Sequence, residues 1–274
     1  MKQSHMAERA ASQPPDVQGE ADPRQIPIDR VGVRGLRHPL QVEDRSGHRQ
    51  ATVAELTMTV SLAHDTKGAH MSRFVEMINE LGEPLSVRSF RRLLEGMTER
   101  LEAPNGEIEI RFPYFRQKHA PVSGVASLMD YRAAFIGRRQ HGHTDIWLQV
   151  AAPATSLCPC SKKISEYGAH NQRSEIMIEA RIEDIIWLEE LIEIAEGAAS
   201  AEVYGVLKRT DEKYVTERAY DNPKFVEDIL RELAIALDGD ERIRAFRISC
   251  ENFESIHNHS AFAELARDKD AALR

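Results

Sequence analysis

The sequence predicts an α+β protein in which antiparallel sheets carry paired helices on one face. Three observations predict it. Several stretches alternate apolar and polar residues, as half-buried strands do. Between them, apolar residues recur at three- and four-residue steps, as on one face of a helix. This order, strands then two helices then strands, occurs twice with a change-over near residue 140, although no stretch of sequence repeats.

The elements follow in order. Residues 1 to about 27 are polar and aperiodic, with Pro14, Pro15 and Pro23, and read as a mobile or loosely docked arm. Gln50 to Leu62 is rich in β-formers. Met71 to Leu81 places Phe74, Val75, Ile78 and Leu81 on one helical face. Ser86 is placed to N-cap a second helix whose stripe is Val87, Phe90, Leu94, Met97 and Leu101, with Pro104, Asn105 and Gly106 as its stop. Ile108, Ile110, Phe112 and Tyr114 alternate as a strand, and another extended stretch runs from about Val125 to Ile136. Gly137 to Gly142 reads as a basic turn between the halves. In the second half Ile146, Leu148 and Val150 form one strand and Ile176, Ile178, Ala180 and Ile182 the next. Asp184 to Ala199 is predicted helical. Asp221-Asn222-Pro223 reads as a helix start, with Phe225 to Leu237 as the buried stripe and Gly239 as its end. Phe246, Ile248 and Cys250 alternate in a final strand.

Composition narrows the function. Of 274 residues, 42% are hydrophobic and 29% charged, which is ordinary for a globular chain. The net charge of −8 argues against a general nucleic-acid coat, because phosphate backbones want a basic face. No run approaches the ~18 apolar residues of a membrane span. Met1 to Arg30 has no apolar core of a secretory signal. Three cysteines are too few for a disulfide framework, so a cytoplasmic setting is expected. Walker, Rossmann, zincin and nucleophile-elbow motifs are all missing from the sequence.

The chemistry concentrates in the second half. Cys158-Pro159-Cys160 is followed by His170, then by Glu212, and then by His257 and His259. Thiolate, imidazole and carboxylate are donors that Zn²⁺ or Fe²⁺ accepts, and their scatter over about 100 residues suits an open catalytic site better than a zinc finger. The two cysteines also fit small buried residues or a redox pair. His257 and His259, two apart in an extended segment, would share a face as ligand and proton carrier, or as surface residues. Cys250 alternates with core residues. Glu227 and Asp228 sit early in a helix, where acids complement the dipole. A carboxylate there could also accept two parallel hydrogen bonds from N1–H and the exocyclic amine of guanine. Lys162, Lys163, Arg173, Lys208, Arg209 and Lys213 cluster in the second half. In the first half Lys67, His70 and Arg73 flank a helix start, a setting suited to phosphate or simply a solvated charge run.

These strings together resemble GTP cyclohydrolase I type B, a prokaryotic family of the tunnelling-fold superfamily. The resemblance rests on Pro15-Asp16-Val17-Gln18, Lys67-Gly68 with His70 to Phe74, Phe112 to Phe115, Ala120 to Gly124, Ser156 to Ser161, Tyr167 to Ser174, Tyr204 to Glu217, Asn222 to Asp228 and Glu251 to His259. Ala69 departs from it, since a Thr is expected there. The resemblance implies two tandem tunnelling-fold modules, residues 28–140 and 141–274, after an arm over 1–27, with the second module carrying most of the metal site. It implies conversion of GTP and water to 7,8-dihydroneopterin triphosphate and formate, on the way to folate and 7-deazaguanine nucleosides, by a homotetramer with active sites at module interfaces.

The family's metal ligands fall on Cys158, Glu212 and His257, with His170 beside the metal as ligand or proton carrier. Its guanine anchor falls on Glu227. His259 is a second candidate proton carrier, and Lys67, His70, Arg73 and Lys162 are candidates for the triphosphate. Cys160 is left with proton transfer, a disulfide with Cys158, or packing. The metal is expected to be Zn, Mn or Fe. Two other readings compete: a nitrile reductase of the same superfamily, using a cysteine nucleophile and NADPH, and a non-enzymatic zinc or thiol protein.

Overall fold

The computed structural model describes residues 15–271. Residues 1–14 of the expected arm lie outside them. Among the described residues, nine strands form one antiparallel sheet. The first half contributes β1 (Ile28–Glu43), β2 (Arg49–Leu62), β3 (Asn105–His119) and β4 (Ala126–Gln140). The second contributes β5 (His143–Leu157), β6 (Asn171–Ile182), the short β7 (Ala201–Glu202), β8 (Ile243–Asn252) and β9 (Ala261–Asp268). The order is β1-β2-β3-β4-β5-β6-β8-β9, with β7 beside β5. Six helices accompany them: α1 (Met71–Asn79), α2 (Val87–Arg100), α3 (Pro159–Ile164), α4 (Leu188–Ala198), α5 (Arg209–Asp221) and α6 (Val226–Gly239).

Each half thus has strands, helices and strands, and the expected α+β class holds. The halves meet in a two-residue hairpin, His141 and Gly142, both at positive φ (49° and 85°). That mirror-image turn matches the strand twist and keeps the sheet continuous. Helix-facing positions stay in register across the centre: Ile108 opposes Gly137 and Gly137 opposes Ile146, while Ile110, Phe135 and Leu148 form the next row. Phe74, Phe90, Leu94 and Met97 pack on that face in the first half, and Leu191, Ile192, Ile229 and Leu233 in the second.

Four expectations need correction. The turn between the halves is only two residues, because Gly137 to Gln140 continue β4. A Cβ on Gly137 would meet the Phe90 ring at 2.7 Å, so this glycine serves helix–sheet contact. Asn105 and Gly106 begin β3 rather than ending a helix; α2 stops at Arg100. The Asp184–Ala199 helix starts only at Leu188, because Asp184 turns the chain by accepting the Ile185 N–H and Glu190 accepts the Trp187 N–H. Asp221-Asn222-Pro223 ends α5 instead of starting α6. Asn222 caps α5 and donates its side-chain amide to the Ala199 and Ser200 carbonyls, and Pro223 follows as a stop. The N-cap of α6 is Phe225, whose N–H goes to the Asp228 carboxylate. The Ser86 cap is as expected, with Ser86 and Ser89 each accepting the other's N–H.

A carboxylate row on α4 ties the halves together. Glu189 accepts the Arg45 N–H from the β1–β2 turn, and Glu193 pairs with Arg45 and Arg116. Glu196 is buried and pairs with the buried Lys118 of β3 at 2.8 Å. The Lys118 Nζ also meets Glu202 at 2.7 Å, donates to the Val203 carbonyl, and lies 4.4 Å from the Tyr204 ring centre. The Tyr131 hydroxyl donates to Glu196. Burial, together with Glu196, pushes the Tyr131 pKa well up, so it stays a donor.

Lys118→Ala would leave Glu196 and Glu202 facing each other without the ammonium, with only Arg116, 3.9 Å away, still near the buried Glu196. The expected loss is about 3–5 kcal/mol of stability, read by urea unfolding. An additional Glu196→Gln change should recover part of that loss, since it removes the buried uncompensated charge. Equal destabilisation by single and double variants would show that the ammonium is not paired in this way.

Candidate active site

The second-half candidates gather at one end of the sheet. Cys158 follows the last residue of β5 and N-caps α3, its Sγ accepting the Ser161 N–H at 3.4 Å. Its own N–H is donated to the His170 carbonyl, which closes the β5–β6 connection. Cys160 lies on α3 and is exposed; both thiols are free, while Cys250 is buried in the core as expected. Burial pushes the Cys250 thiol up to about 12. Lys162, also on α3, donates to the Tyr220 carbonyl and stands over the Tyr220 ring at 4.2 Å, so it is held rather than free.

His170 is nearly enclosed. Its Nδ1 is 2.9 Å from Gln172 Oε1, 3.5 Å from Ser255 Oγ and 3.8 Å from Glu254 Oε2. Behind it lies a buried polar chain that sequence reading missed: Gln172, Ser156, Ser174 and Asn252. Its signal was available. These residues continue the helix-facing register of β5, β6 and β8 past the apolar stripe, so polar side chains occupy positions the pattern marks as buried.

Glu212 is exposed in the first turn of α5, a helix the periodicity did not reveal, because only Asp211 and Ala219 on it are buried. Asp211 fixes that turn. Its carboxylate accepts the Val122 and Ser123 N–H groups (2.9 and 2.8 Å), the Ser123 hydroxyl (2.6 Å) and the Lys208 N–H (2.8 Å). Burial pushes its pKa up, but the bonds from Ser123, Lys208 and Val122 outweigh this and hold it well below the usual carboxylate range. Thus the β3–β4 turn of the first half carries the helix that presents Glu212.

Glu227 is exposed in the first turn of α6, and its neighbour Asp228 does the capping, so the carboxylate of Glu227 is left for another partner. The Lys224 N–H joins Leu157 O, which keeps the start of α6 at the Cys158 end. His257 and His259 lie in a bend rather than the extended segment expected, because the β8–β6 pairing ends just past Asn252. Their rings nevertheless stack, 5.2 Å between centres.

The first-half candidates are elsewhere. Val60 is level with Gly106, Arg139 and Thr144 across four strands. Lys67, His70 and Arg73 follow β2, so they lie beyond the Thr144 end of β5, whereas Cys158 lies beyond the other end. Thirteen residues of strand separate the levels of Thr144 and Leu157, about 45 Å at the usual rise. Lys67 pairs with Glu20, His70 approaches Asp16 at 3.4 Å, and Arg73 donates to the Arg100 carbonyl. Residues 18–22 dock here through backbone bonds: Lys67 N–H to Glu20 O, Gly68 N–H to Gln18 O and Asp22 N–H to Asp65 O.

A thiolate, imidazoles and a carboxylate suit a divalent metal in chemistry, and the backbones of Cys158 and His170 are joined by a hydrogen bond. Among the described residues, however, no three His, Cys, Asp or Glu side chains close on one point. Glu212 and His257 stand exposed around the pair. Among the described residues, no helix is long and apolar enough to cross a membrane.

Comparison with solved structures defines the fold class first. The uricase of Arthrobacter globiformis superposes with a TM-score of 0.55 at 8% identity, covering 88% of this chain and 93% of that one. A hyperthermostable urate oxidase mutant from Bacillus sp. TB-90 gives 0.51 at 8% identity, covering 89% and 99%. The architecture is that of the tunnelling fold. The family follows from sequence: the family model for type I GTP cyclohydrolase folE2 matches residues 15–263. GTP cyclohydrolase FolE2 of Nitrosococcus oceani is 57% identical over 254 residues, covering 93% of this chain and 95% of that protein. The FolE2 protein of Methylococcus capsulatus is 57% identical over 257 residues, covering 94% and 96%. This chain belongs to the type I GTP cyclohydrolase FolE2 family.

Asp211 generates a pH prediction. A carboxyl whose pKa is depressed on folding stabilises fully above its unfolded value and loses that contribution as pH falls through the folded one. The wild type should therefore lose stability progressively from the ordinary carboxylate value of 3.8 downward. In Asp211→Asn the acid-limb slope should be shallower by one proton, as followed by thermal unfolding at stepped pH. An unchanged slope would show that Asp211 is not held in this cradle.

Proposed function

We propose that this chain is a metal-dependent GTP cyclohydrolase that converts GTP and water to 7,8-dihydroneopterin triphosphate and formate. It would serve as an entry step to folate and 7-deazaguanine synthesis. The observation that carries the reading beyond family membership is the grouping at one sheet end of Cys158, His170 and a Glu227 relieved of capping duty. Residues 28–140 and 141–274 act as two modules in this reading, with 1–27 as an arm.

Glu227 accepts two parallel hydrogen bonds from guanine N1–H and the exocyclic amine, which adenine cannot supply. This fixes C8 relative to Cys158 and His170, and such positioning is a large part of the rate. A divalent ion, Zn, Mn or Fe, held by Cys158, Glu212 and His257 with His170 beside it, would bring the pKa of water toward neutrality. His170 or His259 protonates N7 as C8 is hydrated and later hands protons to the opening ring, since an imidazole nitrogen can both give and take a proton. Cys160, exposed one residue beyond the Cys158–Pro159 corner, is a third group able to move a proton there. Lys162 lies at the same end and serves the triphosphate by exchanging the Tyr220 carbonyl for a phosphate oxygen.

Lys67, His70 and Arg73 lie too far along the sheet to reach a nucleotide bound at Cys158 of their own chain. In this reading they bind the triphosphate held by another copy, and the protein works as a homotetramer with sites between modules. Exposed apolar side chains support it. Val122, Ile164, Tyr167, Tyr214, Phe225, Phe253 and Ile256 ring the Cys158 end, and Ile26, Ile28 and Met71 lie near the opposite end. Burying such side chains between copies is favourable.

Metal-depleted protein given GTP should release formate and, after oxidation, a fluorescent pterin only when Zn²⁺, Mn²⁺ or Fe²⁺ is restored. Absence of product from folded protein with every metal would reject the reading. Glu227→Ala should abolish measurable GTP binding with metal content unchanged, whereas Cys158→Ala should lose metal as well as activity. Mixing Arg73→Ala with Glu227→Ala chains under exchange should regain activity absent from either alone. Failure to regain it in verified mixed oligomers would place both groups in one chain's site or remove Arg73 from it.

A further inference from the structure

The buried side chains behind His170 form a single directed chain of hydrogen bonds. Gln172, Ser156, Ser174 and Asn252 are 6%, 0%, 2% and 3% exposed, so each bond is made within the protein. Gln172 donates to Ser156 Oγ at 3.0 Å, the Ser156 and Ser174 oxygens are 3.0 Å apart, and Ser174 donates to Asn252 Oδ1 at 2.7 Å. At the far end the Cys250 Sγ is 3.6 Å from the same Asn252 oxygen.

Each hydroxyl has one hydrogen to give. Ser174 commits its hydrogen to Asn252, so the hydrogen between the two serines belongs to Ser156. Ser156 then has only lone pairs for Gln172, which must present its NH₂ there and its carbonyl oxygen to His170. That oxygen, 2.9 Å from Nδ1, requires a hydrogen on Nδ1.

Turning both amides over would give the opposite direction, equally consistent within the chain. The two end groups choose between them. Burial keeps the Cys250 thiol protonated, and with the Asn252 side-chain oxygen 3.6 Å from Sγ the S–H has an acceptor, whereas the NH₂ there would meet only a weakly accepting sulfur. At the other end the Glu254 carboxylate, 3.8 Å from Nδ1, accepts only, and favours a hydrogen on that nitrogen.

We infer that Gln172, Ser156, Ser174 and Asn252 are positioning residues that lock neutral His170 as its Nδ1–H tautomer, leaving Nε2 as the lone pair offered to the reaction centre. The functional consequence rests on the proposed role of His170; the tautomer itself does not. With Nε2 bare, neutral His170 is ready either to ligate a metal or to take a proton at that atom, so the first proton to N7 comes from His259, and from His170 only after Nε2 has been protonated. A second-shell bond of this kind also fixes the plane of the ring.

The test is long-range ¹H–¹⁵N correlation on ¹⁵N-histidine-labelled, metal-free, full-length protein at mildly alkaline pH, with His170→Asn identifying the signal. The expected wild-type pattern is a pyrrole-type Nδ1 and a pyridine-type Nε2. Gln172→Met and Ser174→Ala, confirmed folded by near-ultraviolet circular dichroism, should give a tautomer mixture. Asn252→Asp keeps the acceptor and should retain the wild-type pattern. A protonated Nε2 in the wild type, or a pattern unmoved by Gln172→Met, overturns the inference. Metal titration of Gln172→Met separates the two levels. If His170 is a ligand, affinity should fall about 10–100-fold. Unchanged affinity alongside the expected wild-type spectrum would remove His170 from the ligand set while the tautomer lock stands.

Discussion

The buried ammonium of Lys118 is the point on which the arrangement of the two halves depends. It comes from β3 of the first half, and every group it meets, Glu196, Glu202, Val203 O and Tyr204, belongs to the second. Removing charges from water costs several kcal/mol per ion, so such a cluster is tolerable only when each charge is answered closely. That requirement restricts how α4 can sit over the sheet. A hydrophobic contact slides at little cost; a buried ammonium between two carboxylates does not. Arg45 and Arg116, paired with the same helix nearer the surface, extend the constraint toward the β1–β2 turn.

From that node the effect reaches the chemistry by short steps. Lys118 holds residues 202–204, and α5 begins a few residues later. Asp211, at the start of α5, is gripped by Val122 and Ser123 in the β3–β4 turn, three and four residues beyond the end of the strand that carries Lys118. Glu212 therefore inherits its position from first-half backbone, though it belongs to the second half in sequence. The strands beneath serve two purposes along one register. Their helix-facing positions are apolar where α4 and α6 cover them and change to Ser156, Gln172, Ser174 and Asn252 at the Cys158 end. Polar groups there are affordable because each finds a partner in the next strand.

Much of this was legible in the sequence where burial is one-sided. The strands around Ile108 and Ile176, the stripe of α2 and its Ser86 cap all follow from periodicity and capping chemistry. Where packing is not one-sided the pattern fails. Only two of the thirteen residues of α5 are buried, so the helix left no stripe. Pro223 suits either a helix start or the segment after a helix, and only the Asn222 bonds to Ala199 and Ser200 decide. The site candidates of the second half were legible as types of donor, and their common sheet end follows from the pairing of β5, β6 and β8. The distance from Lys67 to Cys158 was not legible, because it depends on pairing levels across four strands, which no local spacing encodes.

That distance is the clearest link between fold and proposed activity. In a continuous antiparallel sheet, groups that follow the C-terminal ends of β2 and β5 emerge at opposite ends, since an odd number of antiparallel steps separates the two strands. No rearrangement of loops brings Lys67, His70 and Arg73 to Cys158 without breaking the ladder. The cations either serve another purpose or meet the donors of a second copy turned end for end. The exposed apolar side chains favour the second alternative. Tyr167 is 97% exposed and Ile164 83%, both on the short connection that carries Cys158 and His170. Side chains of that kind beside the candidate groups Cys158 and His170 are costly in an isolated chain, but they become useful once a neighbour covers them, because the same contact would exclude water from a base bound there. An exposed collar around an incomplete donor set is what a site shared between copies requires of each copy alone.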